Sequence, residues 1–119
     1  MKILVVEDEP LLAMLLEENL ADLGHEAVGT AATVDQALSM LEETDVDCAL
    51  LDFSLGRDTT SAAVARKLQA AGKPFCYLSG HASLEEGDDT PPAPLLTKPV
   101  SLDALRGALH AMAPAVRAA

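Results

Sequence analysis

Tryptophan is absent from this sequence, and only 3% of its 119 residues are aromatic. The core therefore has to be built mainly from Leu, Val, Ala and Met. Half of the residues are hydrophobic, which is enough for one compact domain of this length. We expect a single domain over residues 1–119, with about 114–119 as a short tail.

Positive charge is also scarce. Eight Lys and Arg residues stand against 19 Asp and Glu residues, which gives a net charge of −11 and an isoelectric point near 4.4. Nucleic acid is therefore not expected as a partner, because phosphate backbones are bound by clustered Lys and Arg. The excess acid is compatible with a cation site, although most acidic residues in such a chain belong to a solvated surface.

Long hydrophobic runs are missing as well. The N-terminal apolar run, residues 3–6, stops at Glu7 and is too short for a signal peptide or a membrane span. The two cysteines, Cys48 and Cys76, lie inside apolar runs, so buried reduced thiols are expected rather than a disulfide. Together these features predict a cytoplasmic location without membrane insertion.

What the sequence does contain is an alternation of short β-rich runs and helical patterns. Strands are predicted at residues 2–6, 27–30, 48–51, 75–78 and 95–96. Leucines at helical spacing follow the first strand and end at Gly24, and Thr33 with Gln36 forms a capping box for the second helix. Gly72 ends the third helix, and Ser101 can cap the last one. This order predicts a doubly wound (βα)5 parallel sheet with helices on both faces.

One unit of that repeat is weak. Residues 82–94 should hold the fourth helix, but they contain Gly87, Pro91, Pro92 and Pro94, and Leu84 is their only large apolar residue. Such a segment cannot form a good amphipathic helix. The sequence therefore predicts a weak or irregular fourth helix.

Polar residues stand at the predicted strand ends. In a parallel sheet these carboxyl ends share one edge, where ligands usually bind. The residues concerned are Glu7, Asp8 and Glu9 after strand one, Asp52 after strand three, Ser79 after strand four and Lys98 after strand five.

The chemistry of this set is coherent. Carboxylates about 4 Å apart repel by roughly 4 kcal/mol at an effective dielectric constant near 20, so they favour a compensating cation such as Mg²⁺. Asp52 could then act as a nucleophile toward a phosphoryl group, with Lys98 and the Ser79 hydroxyl contacting phosphoryl oxygens. Singly, each residue has an ordinary explanation as a turn, cap or surface charge, and Glu9 could simply favour a helix N-terminus.

The sequence segments that contain these residues resemble the receiver domain of two-component response regulators. The resemblance extends over essentially the whole chain. The matching pieces are Val5-Val6-Glu7-Asp8-Glu9-Pro10, Leu50-Leu51-Asp52, Leu78-Ser79-Gly80 and Thr97-Lys98-Pro99. The resemblance implies a flavodoxin-like fold with strand order 2-1-3-4-5 and a cis peptide at Lys98–Pro99.

The same resemblance implies roles for the site residues. Asp52 would be the phosphoacceptor, assisted by Lys98 and Ser79. Mg²⁺ or Mn²⁺ would be held by Asp8, Asp52 and the backbone carbonyl of Ser54, and by Glu7 through water. The expected partners are a sensor histidine kinase or a phosphotransfer protein, together with an unknown downstream protein; the domain would be a signalling phosphoacceptor and not a separate enzyme.

A narrower resemblance is to the stand-alone receivers known as the FAT GUY family. It is carried by Leu51-Asp52-Phe53-Ser54-Leu55-Gly56 and by Pro74-Phe75-Cys76-Tyr77-Leu78-Ser79-Gly80-His81. Leu78, Ser79 and His81 depart from the family's usual Ala, Thr and Tyr. Leu95 stands where most receivers have an aromatic residue that rotates on phosphorylation, so a switch without that rotation is expected.

Three other functions are open at this point. A haloacid-dehalogenase-type phosphohydrolase would need a second acid two residues after Asp52, where Ser54 stands. A flavodoxin-type FMN carrier would need a phosphate-binding loop after strand one, where the chain is acidic. A receiver-like interaction module that no longer depends on phosphorylation would keep the fold but not the phosphotransfer chemistry.

Overall fold

The computed structural model describes residues 1–55, 59–80 and 91–118, and these contain five strands and four helices. The strands are β1 (Lys2–Val6), β2 (Glu26–Ala31), β3 (Cys48–Asp52), β4 (Phe75–Ser79) and β5 (Leu95–Thr97). The helices are α1 (Pro10–Asp22), α2 (Val34–Glu43), α3 (Ala62–Ala70) and α4 (Leu102–Ala118). All five predicted strands are present, each within one or two residues of its expected bounds.

The strands form one parallel sheet in the order β2-β1-β3-β4-β5, which confirms the predicted flavodoxin-like topology. Val6 lies opposite Leu51 and Asp52 lies opposite Leu78, so the ends of β1, β3 and β4 are nearly level. The register therefore aligns the strand ends at which the polar residues stand.

Side chains alternate between two apolar cores, one on each face of the sheet. Ile3 and Val5 of β1 pack with residues of α1 and α4, whereas Leu4 and Val6 pack with residues of α2 and α3. Every residue of β3 and β4 is buried, because helices cover both faces of these central strands. This explains why their sequences are continuously apolar.

The predicted helix caps at Thr33 and Ser101 are present. The Thr33 hydroxyl oxygen accepts a hydrogen bond from the backbone N–H of Gln36 at 3.1 Å. The Gln36 side chain accepts in return from the N–H of Ala32 at 2.8 Å, one residue before the position that an ideal capping box uses. At the start of α4 the Ser101 hydroxyl accepts from the N–H of Ala104 at 3.0 Å.

Gly24 and Gly72 follow α1 and α3 with φ values of 84° and 72°. This is the left-handed region, which a residue with a side chain enters only at a cost. Both glycines therefore end their helices as the sequence predicted.

The last helix is longer than expected. We predicted a tail from about residue 114, but α4 continues to Ala118 with Pro114 inside it. A proline removes one helical hydrogen bond but does not forbid the helix when the flanking residues favour it. Here the neighbouring residues are mainly alanine, and Val116 packs against the core under α1 and α4.

The predicted irregular helix at residues 82–94 falls mainly on residues 81–90, which lie outside the described residues. The four described residues that precede β5, residues 91–94, have no regular secondary structure. No helix in the described ranges is long and apolar enough to cross a membrane.

Both cysteines are buried and free, as predicted. Burial raises the pKa of the Cys48 thiol to about 12 and that of Cys76 to about 11. Both therefore remain protonated thiols within the core near neutral pH.

Candidate functional site

The predicted site residues meet at the carboxyl edge of the sheet. Glu7 directly follows β1, and its backbone N–H donates to the carbonyl of Ala31 at 2.9 Å. Asp52 and Ser79 are the last residues of β3 and β4, and both side chains are buried. The side chain of Asp8 is exposed at the same edge.

Three acids form a cluster. Glu7, Asp8 and Asp52 each offer a carboxylate oxygen, and these oxygens lie within 4.8 Å of one another. Glu7 is 2% exposed and Asp52 is 5% exposed, so the cluster opens to solvent on the side of Asp8. Hard oxygen ligands beside open solvent positions suit Mg²⁺ or Mn²⁺, so the donor set fits the expected cation.

Lys98 brings a positive charge to the two buried acids. Its Nζ lies 3.0 Å from Glu7 Oε1 and 3.0 Å from Asp52 Oδ2. The peptide bond between Lys98 and Pro99 is cis, which confirms that expectation. The backbone N–H of Lys98 donates to the carbonyl of Ser79 at 2.7 Å, so the lysine is fixed to the end of β4 as well.

The electrostatics follow from this crowding. Burial raises the pKa of Glu7, the hydrogen bond with the neighbouring Asp52 raises it further, and Lys98 opposes both, which leaves it at about 7. Burial by itself lowers the pKa of Lys98, but its hydrogen bonds to Asp52 and Glu7 outweigh this and raise it. The site therefore holds a charged lysine beside an acid that is ready to take or release a proton near neutral pH.

The remaining predicted residues have different surroundings. Ser54 lies just beyond β3, is exposed and pairs with Thr60 in an isolated antiparallel bridge. The role of its carbonyl as a metal ligand stays a prediction. Glu9 is the N-cap residue of α1, makes no capping hydrogen bond with its side chain, and is not part of the three-acid cluster.

Sequence reasoning missed the exposed apolar face of α1. Leucines at helical spacing suggested one buried stripe, yet only Leu16 and Leu20 are fully buried. Leu11 is 72% exposed and Leu15 is 50% exposed. Together with Leu12 and Met14 these two residues form what we call the α1 apolar face.

The α1 apolar face continues into the site. A groove between α1 and the segment after β5 is lined by Leu12, Leu15, Pro99 and Val100, and it reaches Glu7 and Lys98. Contiguous exposed apolar surface rimmed by polar residues often marks an interaction site.

The chain matches the family model for the response regulator receiver domain over residues 3–110. Among curated proteins it is 33% identical over 115 residues to the transcriptional regulatory protein TcrA of Mycobacterium tuberculosis, covering 93% of this chain and 45% of the relative. It is also 33% identical over 105 residues to the phyllosphere-induced regulator PhyR of Methylorubrum extorquens, covering 82% of this chain and 38% of the relative. The chain thus spans less than half the length of these two relatives.

Two solved structures have the same fold as this chain. The solution structure of SdrG from Sphingomonas melonis Fr1 aligns with a TM-score of 0.78 at 38% identity, covering 95% of this chain and 96% of that one. The receiver domain of PhyR from Erythrobacter litoralis aligns with a TM-score of 0.83 at 28% identity, covering 94% and 88%.

Proposed function

Because this chain belongs to the receiver domain family of response regulators, we propose that it is a phosphoacceptor that takes a phosphoryl group onto Asp52. The observation that carries the proposal is the position of Asp52, which lies at the end of a central strand beside the other two acids of the cluster and 3.0 Å from Lys98 Nζ. A carboxylate in this place can attack a phosphoryl group whose charge is neutralised from two sides.

Each neighbour has a part in this proposal. Asp8, Asp52 and the Ser54 carbonyl would hold the cation, with Glu7 acting through water. When bound, Mg²⁺ or Mn²⁺ would neutralise charge on the phosphoryl oxygens. Lys98 then exchanges a carboxylate oxygen for a phosphoryl oxygen.

The Ser79 hydroxyl would donate to another phosphoryl oxygen once the group is in place. Ser79 and Asp52 end adjacent strands, and Asp52 lies opposite Leu78, the residue before Ser79. A small displacement of the end of β4 would therefore bring the hydroxyl to the phosphoryl group.

The phosphodonor in this proposal is a protein, either a sensor histidine kinase or a phosphotransfer protein. The α1 apolar face supports this, since a small phosphodonor needs no apolar contact whereas a protein donor needs a surface beside the acceptor. The face borders the groove that reaches Glu7 and Lys98, so a partner seated there would lie next to Asp52.

Incubation with acetyl phosphate and Mg²⁺, followed by intact-mass measurement, tests the acceptor. The chain should gain the mass of one phosphoryl group, and Asp52→Asn should gain none. Equal labelling of the Asn variant would contradict the assignment of Asp52. Absence of labelling in the wild type would instead favour a receiver-like module that works without phosphorylation.

The protein donor is tested separately with a variant that carries both Leu11→Ser and Leu15→Ser. Since both side chains are at least half exposed, the fold should tolerate the change. Labelling by acetyl phosphate should match the wild type, while transfer from a histidine kinase that phosphorylates the wild type should fall. Unchanged transfer from the kinase would place the docking surface elsewhere.

A further inference from the structure

Tyr77 is the only tyrosine in the chain. Its ring is completely buried on the face of the sheet that α2 and α3 cover. Burial raises the pKa of Tyr77 to about 12, so the hydroxyl keeps its proton. It donates a hydrogen bond of 2.7 Å to the backbone carbonyl of Pro91. A buried hydroxyl thus binds a segment without regular structure to the core.

Tyr77 makes a second hydrogen bond to the segment before β5, this time through its backbone. The backbone N–H of Tyr77 donates to the carbonyl of Pro94 at 2.9 Å, where β5 begins. The backbone contact belongs to the edge of the sheet, whereas the hydroxyl contact depends on one side chain. Leu95, which lies opposite Tyr77 in the register, has no polar side-chain atom that could replace it.

Tyr77 is also in contact with the neighbour of the phosphoacceptor. Phe53 follows Asp52 directly, and its ring meets the Tyr77 ring edge-on, with centroids 5.7 Å apart and planes at 83°. The backbone N–H of Phe53 donates to the carbonyl of Leu78 at 2.9 Å. A displacement of the Phe53 ring would therefore act on the Tyr77 ring by direct contact.

The direction of that displacement follows from the strand order. If Ser79 moves toward a phosphoryl group on Asp52, the end of β4 moves toward β3. The segment that contains Pro91 leads into β5, on the opposite side of β4. A movement of β4 that the segment around Pro91 does not follow would lengthen the hydrogen bond from the Tyr77 hydroxyl to the Pro91 carbonyl.

We propose that the hydrogen bond from Tyr77 to Pro91 is a latch that holds residues 91–94 in the unphosphorylated chain and breaks when Asp52 is phosphorylated. This inference rests on the proposed function of Asp52. The released segment would change the surface that the chain offers at the β5 edge, which is an order–disorder switch triggered from the site.

The first experiment uses Tyr77 as its own probe, because the chain has no tryptophan and no second tyrosine to obscure its emission. The full chain is treated with acetyl phosphate and Mg²⁺, and tyrosine fluorescence and intact mass are measured on the same sample. We expect the emission intensity to rise with the phosphorylated fraction, since the hydroxyl loses its carbonyl acceptor. Asp52→Asn should show neither change.

Two matched variants test whether the effect of phosphorylation at Asp52 reaches Tyr77 through Phe53. Phe53 and Phe75 both meet the Tyr77 ring edge-on, at 5.7 and 5.6 Å, but only Phe53 adjoins the phosphoacceptor. In Phe53→Leu the mass gain should remain while the fluorescence change falls at least twofold. In Phe75→Leu both should remain. An equal fluorescence change in all three chains would overturn the path through Phe53.

The second experiment removes only the hydroxyl. In Tyr77→Phe, amide hydrogen exchange at Ala93 and at residues 95–97 should be fast before phosphorylation and should change little after it. In the wild type the same amides should be slow and should become faster. The mass gain should be the same in both chains.

The outcomes separate the two proposals. If the wild type gains the phosphoryl mass but the fluorescence and exchange do not change, the latch is wrong and the role of Asp52 stands. Wild-type exchange in Tyr77→Phe would also overturn the latch. If no phosphoryl mass is gained, the proposed function fails and the latch fails with it.

Discussion

The two ends of the parallel sheet both carry lysine–carboxylate pairs, but they place them in different surroundings. At the carboxyl end Lys98 Nζ lies 3.0 Å from both Glu7 and Asp52, whose side chains are 0% and 7% exposed. At the amino end Lys67 Nζ lies 3.2 Å from Glu42, whose side chain is 71% exposed. The distances are nearly equal, and burial is the main difference.

That difference decides what the charges can do. An exposed pair is screened by water and stabilises a fold by about 0–1 kcal/mol, so it can be lost with little effect. Buried acids that share one lysine hold two like charges close together in a poorly solvated place, where protonation or a cation relieves the repulsion. The carboxyl end is therefore sensitive to protons and cations, and the amino end is not.

The largest effect should follow from loss of the exposed acid in the cluster. Asp8→Ala removes a proposed charged ligand, so Mg²⁺-dependent phosphorylation by acetyl phosphate should slow by roughly 100-fold, which corresponds to about 3 kcal/mol of transition-state stabilisation. The rate is measured by intact mass over time at fixed Mg²⁺.

Glu9→Ala is the matched control for Asp8→Ala. Glu9 is the next residue in the chain, is exposed, and lies outside the three-acid cluster. Its loss should leave the rate within about twofold and the stability within about 0.5 kcal/mol. If Asp8→Ala is phosphorylated as fast as wild type, Asp8 has no part in the reaction.

The convergence of the site could be predicted because it depends on topology. Once β1, β3, β4 and β5 are recognised as parallel, their last residues must share an edge, whatever the details of packing. Glu7, Asp52 and Lys98 were therefore placed together without any distance being known. The sharing of Lys98 Nζ by two acids could not be predicted, since it depends on side-chain conformations.

Other features depended on competing forces of similar size. On α1, apolar residues occupy so much of the helix circumference that their spacing cannot show which of them, Leu16 or Leu15, faces the sheet. Pro114 by itself favours the end of a helix, but the helix-forming residues around it outweigh this preference and α4 continues through it. The hydrogen bond from Tyr77 to Pro91 joins β4 to a segment without regular structure that is distant in sequence, and no local pattern marks a backbone carbonyl as its acceptor.

An intermediate effect should appear in the pH dependence of stability when no metal is bound. The pKa of Glu7 rises from 4.5 in the unfolded chain to about 7 in the folded chain. The folded chain therefore holds a proton that the unfolded chain releases, so the stabilisation is complete below pH 4.5 and is lost as the pH rises through 7. A shift of this size corresponds to about 3 kcal/mol.

Glu7→Gln should remove this dependence, because the amide cannot titrate. Free energies of unfolding would be measured by urea denaturation in EDTA from pH 4.5 to 8. Asp8, Asp52 and Lys98, which surround Glu7, are the same in both chains, so the difference between the two profiles isolates Glu7. Parallel profiles would mean that Glu7 does not titrate in this range.

The smallest effect should come from the same substitution at the other end of the sheet. Glu42→Gln removes the exposed pair with Lys67, and it also reduces the net charge of −11 by one, which lessens repulsion within the folded chain. The two contributions oppose each other, so stability should change by no more than about 0.5 kcal/mol. The pH profile in EDTA should run parallel to that of the wild type. A pH-dependent change as large as that of Glu7→Gln would show that burial is not what distinguishes the two ends.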